Sequence, residues 1–166
     1  LRCDWSSDVC SSDLKEFDNI ILTRTFSKAY GLAGIRLGWC YASPRVASIL
    51  SRVKGPFNTN SLAQHMAIIA LNDQDHIKMV IGQNKKNKEW FEGELKKLDI
   101  KFLPSYANFS FIESTKTDAA KMSETLLENG IIVRQLDSYN LPHCLRITIG
   151  TMENMKKTIK ALENIS

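Results

Sequence analysis

Thr25-Phe26-Ser27-Lys28-Ala29-Tyr30-Gly31-Leu32-Ala33-Gly34-Ile35-Arg36-Leu37-Gly38 sets one lysine beside two hydroxyl residues and eight positions ahead of an arginine, with glycines between them. The apolar, β-branched run at residues 19–25 reads as a strand buried on both faces. Lys28 therefore comes directly after a strand, at the kind of sheet edge where α/β proteins place ligands. An amine there can condense with an aldehyde, and the imine exchanges with a substrate amine. The hydroxyls of Thr25 and Ser27 can donate to phosphate oxygens, and Arg36 can add a bidentate charge-assisted pair. Gly31, Gly34 and Gly38 let backbone pass close to a bound group. Alone, Lys28 would read as a surface lysine; the ordered set points to an aldehyde cofactor that carries a phosphate. A nucleotide phosphate loop is not present, because G-x-x-x-x-G-K-[ST] is missing.

Outward from this stretch, residues 37–42 read as the next strand, and Ser43-Pro44 as the cap and first turn of a helix. The segment Gly55-Pro56-Phe57-Asn58-Thr59-Asn60 breaks the chain. Residues 61–71 form a helix apolar on most sides, hence deeply buried or in a subunit contact. Residues 75–98 read as one long helix with Ile77, Val80, Ile81, Trp90, Phe91 and Leu95 inside. Beyond it, residues 101–113 alternate like a strand, residues 118–129 are helical with Gly130 as the stop, and residues 131–136 and 145–149 are strands. Thr151 caps a final helix. Strand, helix, two strands and helix make a small α+β lobe.

The chain has 166 residues, 43% of them hydrophobic and 24% charged, enough to bury a core and close to the globular average. The net charge of +4 is spread out. Lys85, Lys86 and Lys88 lie among Glu89, Glu92 and Glu94 and read as a solvated helix face, so neither a basic stripe nor a nucleic-acid motif is found. No run approaches the length of a membrane span, and no apolar leader stands at the start. Cys40 and Cys144 sit in apolar contexts and read as free buried thiols, which suits a reducing cytoplasm. His65, His76 and His143 lack metal spacing, and Trp39, Trp90 and the phenylalanines read as core. Residues 1–14 hold a near-repeat, Ser6-Ser7-Asp8-Val9-Cys10 then Ser11-Ser12-Asp13-Leu14, that resembles a translated sequencing adapter. That segment, which includes Cys3 and Cys10, is set aside as non-native; a polar linker is the alternative. The natural protein is expected to begin upstream of Lys15.

Four further runs stand in order along the chain: Pro56-Phe57-Asn58-Thr59-Asn60, Pro104-Ser105-Tyr106-Ala107-Asn108-Phe109, Gly130-Ile131-Ile132-Val133-Arg134 and Cys144-Leu145-Arg146-Ile147-Thr148-Ile149-Gly150-Thr151. Together with residues 24–38 they resemble the motifs of the pyridoxal-phosphate-dependent fold-type I aminotransferases, most closely the histidinol-phosphate aminotransferases. The resemblance runs from Lys15 to the C-terminus. It implies an α/β fold: the C-terminal part of the cofactor-binding large domain at residues 15–74, a long connecting helix at 75–98, and a small α+β domain at 99–166.

The resemblance also implies roles. Lys28 would be the Schiff-base lysine and proton shuttle, with Thr25, Ser27 and Arg36 on the cofactor phosphate. Arg146 would bind the substrate α-carboxylate and Arg134 the other anionic end, with Asn108 near cofactor or substrate. A homodimer with active sites near its interface is implied, involving residues 58–60. The acid that pairs with the pyridinium nitrogen belongs upstream of the lysine motif in this family, so the 166 residues alone are not expected to transaminate. The residues themselves leave plainer alternatives. Arg146 alternates with apolar neighbours and can simply face solvent from a half-buried strand. Arg134, by period two, shares a face with Ile132 and Leu136, where a cation snorkels, pairs with an acid or binds an anion. Within the fold, an aromatic-amino-acid aminotransferase or a threonine-phosphate decarboxylase are the rivals. Outside enzymes, the rival is a noncatalytic ligand-binding or interaction fragment.

Overall fold

A computed structural model describes residues 17–114 and 117–165, and residues 1–14 with Cys3 and Cys10 lie outside them. The described chain forms two compact units, one up to Ile77 and one from Lys78 onward. The boundary falls inside the long helix.

In the first unit, β1 (Ile21–Thr25) pairs antiparallel with β2 (Gly38–Ala42), from Ile21 opposite Ala42 to Thr25 opposite Gly38. The expectation of a strand buried on both faces is corrected here, because β1 alternates exposed and half-buried residues. A doubly buried strand needs neighbours on both edges and helices over both faces; β1 has only β2 beside it among the described residues. For the same reason Trp39 and Cys40 on β2 are exposed, not core. Helix α1 (Pro44–Val53) starts where the proline signal put it, but Ser43 does not cap it. Its hydroxyl donates instead to the Asp18 carbonyl at 3.1 Å. Helix α2 (Ser61–Asn72) is capped by Asn60, whose side chain accepts from the Ala63 amide at 2.7 Å. Only Ala63 and Ala67, one turn apart, are buried. Leu62, Ile68 and Ile69 are mostly exposed, so α2 is not deeply buried within this chain.

Helix α3 (Gln74–Lys97) begins in the first unit and has its remaining turns in the second. Phe91 and Leu95 are buried there and Trp90 partly so, whereas Ile81 is exposed. The second unit is a four-stranded antiparallel sheet in the order β3 (Lys101–Leu103), β4 (Phe109–Glu113), β6 (Leu141–Thr148), β5 (Arg134–Leu136). The single strand expected at residues 101–113 is a hairpin, since residues 104–108 turn and set Leu103 opposite Phe111. Pro104 cannot donate to a ladder, and the Ser105 hydroxyl accepts from the Ala107 amide at 3.1 Å within the turn.

Alternation then sorts the sheet's faces. Ile112, Leu145 and Ile147 point to one side and pack with Phe91, Leu95, α4 (Ala119–Glu128) and α5 (Met152–Glu163) in one buried cluster. Phe111 and Arg146 lie on the other side. Thr151 caps α5 as expected, accepting from the Asn154 amide at 3.2 Å, and Asp118, read as helical, is the cap of α4, accepting from the Ala120 amide at 2.9 Å. Gly130 (φ +71°) ends α4, letting the Ile131 amide return to the Leu126 carbonyl at 2.9 Å. Residues 131–133 are not strand, and a register shift at Gln135/Leu136 breaks the expected period, so Leu136 is buried while Arg134 is exposed. Lys88 also departs from the solvated face: its ammonium donates to the Ser105 carbonyl.

Candidate active site

The Lys28 loop is held from inside. The Phe26 amide donates to the Leu37 carbonyl at 3.2 Å, carrying the β1–β2 ladder one step into the loop. Phe26 is buried, with its ring 4.9 Å from that of Tyr30. The Leu32 amide donates to the Phe26 carbonyl and the Gly31 amide to the Lys28 carbonyl, both at 2.9 Å. Gly31 closes this turn at φ +68°, where a side chain would be strained. The Thr25 hydroxyl accepts from the Ser27 amide at 3.0 Å, which fixes the step from the strand end to Ser27. Lys28 follows and is exposed. Arg36 sits in the left-handed region at φ 53°, an uncommon state for a residue with a Cβ, and its guanidinium donates to the Ala33 carbonyl at 2.8 Å. That bond uses one of five donors, so the rest of the fork stays available. At position 38 a Cβ would lie 2.8 Å from the Arg24 carbonyl oxygen. That glycine serves the ladder opposite Thr25, a structural use the sequence did not separate from a ligand-facing one.

In the second unit, Arg134 on β5 stands directly opposite Arg146 on β6, and Phe111 on β4 flanks Arg146 from its other side. Like charges in opposed positions weaken a ladder. No carboxylate forms an ion pair with either arginine among the described residues. Each cation lies against a ring instead: Arg146 is 5.2 Å from the Phe109 centroid and Arg134 5.4 Å from that of Tyr139. Arg134 also donates to the Tyr139 hydroxyl at 3.2 Å. Two opposed arginines with no ion-paired carboxylate among the described residues leave donors on both guanidinium groups open to anions. Asn108 enters β4 from the turn at residues 104–108, and its carbonyl accepts from the Ile149 amide at 2.9 Å.

The expected residues thus fall into two sets. Thr25, Ser27, Lys28 and Arg36 share one loop of the first unit; Asn108, Arg134 and Arg146 belong to the second. Tyr139 and Phe109, the ring partners of the two arginines, were missed, because the β4–β6 register brings Phe109 beside Arg146 and the turn after β5 brings Tyr139 beside Arg134. A groove of about 740 Å³ opens along β3, lined in part by Lys101, Phe111, Glu113 and Cys144. None of the three expected residues of this unit lines it. Cys144 is buried, and burial first and the Glu113 carboxylate opposite it second raise its thiol pKa.

The family model for aminotransferase class I and II matches residues 5–162. The chain is 38% identical to the histidinol-phosphate aminotransferase of Geotalea uraniireducens (strain Rf4) over 162 residues, which are 98% of this chain and 47% of that protein. The histidinol-phosphate aminotransferase of Clostridium acetobutylicum has a similar fold, with a TM-score of 0.86 at 24% identity over 97% of this chain and 49% of its own. The histidinol-phosphate aminotransferase of Sinorhizobium meliloti, solved in complex with pyridoxal-5'-phosphate, gives a TM-score of 0.76 at 27% identity over 90% of this chain and 42% of its own. The chain therefore spans about half the length of the relatives it matches.

Proposed function

We propose, from the premise that this chain belongs to the class I and II aminotransferase family, that it is the C-terminal half of a pyridoxal-phosphate-dependent transaminase. Its substrates are histidinol phosphate and 2-oxoglutarate. The observation that carries this is the Lys28 loop, where one exposed amine, two hydroxyls and a guanidinium share a single internally braced turn. That donor set fits a molecule with one aldehyde and one phosphate. Lys28 would hold the aldehyde carbon, and Thr25, Ser27 and Arg36 the phosphate. When bound, the cofactor supplies the electron sink that makes a substrate α-proton acidic. The Lys28 amine then serves as the group that takes and returns that proton, which requires it to be neutral for part of the cycle. Arg146 fits the carboxylate of the oxo acid with its planar fork, and Arg134, steadied by Tyr139, fits the phosphate end.

Support for the substrate comes from the relatives' names and from the paired arginines, which suit a doubly charged group. The exposed apolar side of α2 supports a homodimer, with residues 58–60 near the interface. Residues 15–74 are the tail of the cofactor-binding domain, 75–98 the connecting helix and 99–166 the small domain. Free thiols at Cys40 and Cys144 suit a cytoplasmic enzyme. No helix among the described residues is long and apolar enough to cross a membrane.

Steady-state kinetics of the whole enzyme provide the test. Arg134→Ala should cut kcat/KM for histidinol phosphate at least about tenfold more than for phenylalanine, the scale of one charge-assisted contact. An equal loss with both substrates would remove the phosphate assignment and favour an aromatic-amino-acid transaminase. Carbon dioxide release from a phosphorylated amino acid would instead favour a decarboxylase.

A further inference from the structure

Helix α3 turns three polar side chains, Asn84, Asn87 and Lys88, toward the loops around Asn108. They are spaced i, i+3 and i+4, so they share one face. The Asn84 amide donates to the Ala107 carbonyl at a long 3.4 Å, the Asn87 amide to the Gly150 carbonyl at 2.8 Å, and the Lys88 ammonium to the Ser105 carbonyl. All three bonds are partly buried and none closes a turn of the helix itself. The Ala107 carbonyl belongs to the peptide unit that precedes Asn108. The unit that follows Asn108 is held by the Ile149 amide at 2.9 Å, one residue before the Gly150 that Asn87 grips. Asn108 is therefore clamped on both sides of its Cα, while its side-chain amide makes no hydrogen bond among the described residues. Asn108 is half-buried, so its unbonded amide on a braced backbone is open to a ligand.

We propose that Asn84, Asn87 and Lys88 are positioning residues that set the Asn108 side chain for its ligand. This rests on the proposed role of Asn108 near cofactor or substrate. The helix does so through backbone carbonyls: it supplies donors to three half-buried carbonyls, two in the turn and one just past β6, and so fixes the hairpin at residues 104–108 against the end of β6. The partly buried Lys88 spends its charge on a neutral carbonyl, although the face expected for it was solvent.

Two substitutions separate positioning from bulk. Asn87→Asp keeps the shape and removes the donor, and Lys88→Met keeps the stem and removes the ammonium, with Lys88→Arg as the donor-keeping control. In the cofactor-free chain, amide exchange at Ile149 should speed up about two- to tenfold in Asn87→Asp and Lys88→Met, the worth of one net hydrogen bond. Lys88→Arg should restore the parent rate. In the holoenzyme, Asn87→Asp should lower kcat/KM by about the same factor, and the loss should vanish in an Asn108→Ala background, as for two residues acting through one contact. If Asn108→Ala is damaging but the Asn87→Asp loss simply multiplies with it, the positioning proposal is overturned and the role of Asn108 stands. If Asn108→Ala leaves the kinetics unchanged, the role of Asn108 falls and the positioning proposal with it. Unchanged exchange at Ile149 in both donor-removing variants also overturns the proposal, whatever the kinetics.

Discussion

Replacing Arg134 with glutamine should leave the protein's stability nearly unchanged and remove most of its response to multivalent anions. Side chains opposed across an antiparallel ladder have Cβ atoms roughly 5 Å apart, and for two cations that lean on different rings a separation of roughly 7 Å is taken. The repulsion at that distance is about 0.6 kcal/mol at the permittivity of water and about 2.4 kcal/mol at an effective value of 20. Arg134 is exposed and Arg146 half-buried, so the lower figure governs. Against that gain, Arg134→Gln loses stacking on Tyr139, about 0.5–1 kcal/mol at an exposed site. The two nearly cancel, and the melting temperature without multivalent anions should move by under about 2 °C for a chain of this size. Anion binding behaves differently. A phosphate at ten times its dissociation constant stabilises the parent by about 1.4 kcal/mol. The variant should keep less than half of that rise. Differential scanning fluorimetry in chloride and in phosphate at matched ionic strength reads both quantities, and the difference between parent and variant cancels the general salting effect of phosphate. An equal phosphate response in both proteins would refute the anion-pair account. A loss above about 2 kcal/mol in chloride would show that Arg134 is structural.

Three other perturbations read different parts of the structure. Leu145→Ala empties a fully buried position between the sheet and its helices and should cost about 2–5 kcal/mol in urea unfolding, with a cavity left behind. Gly38→Ala places a methyl 2.8 Å from the Arg24 carbonyl oxygen and should destabilise the first unit by about 1–3 kcal/mol, with faster exchange of the Phe26 amide, which donates to the Leu37 carbonyl; unchanged exchange would mean that the strands part without penalty. The raised Cys144 pKa means that the folded state holds the thiol proton more tightly than the unfolded chain does. Its contribution is fully present below the ordinary thiol range near about 8.5 and is lost as pH rises above it toward the folded value. Cys144→Ser should flatten that alkaline decline, and alkylation followed by peptide mapping should find Cys40 modified well before Cys144.

The Lys28 loop was legible as one local unit because its parts are consecutive in sequence and are joined by short-range bonds such as Ser27 to Thr25. The cap at Thr151 and the stop at Gly130 were legible for the same reason, whereas Ser43 turned to the Asp18 carbonyl instead of its own helix. Burial was not. Trp39 and the apolar residues of α2 have the composition of a core, yet depth depends on what lies across from them. The hairpin at residues 101–113 was hidden because alternation continues in phase on both sides of the turn. A register shift at Gln135 concealed which residue faces Arg134. The Asn87 bond to Gly150 joins residues 63 positions apart, and no pattern in a helix announces such a partner.

We propose Lys28 as the amine that carries the cofactor. This role is tested most directly by loading the whole enzyme with pyridoxal phosphate, fixing the linkage with borohydride and mapping the modified peptide by mass spectrometry. One cofactor mass per chain is expected on the peptide that contains Lys28, and none in Lys28→Ala. Modification spread over other lysines, or retained in Lys28→Ala, would contradict it.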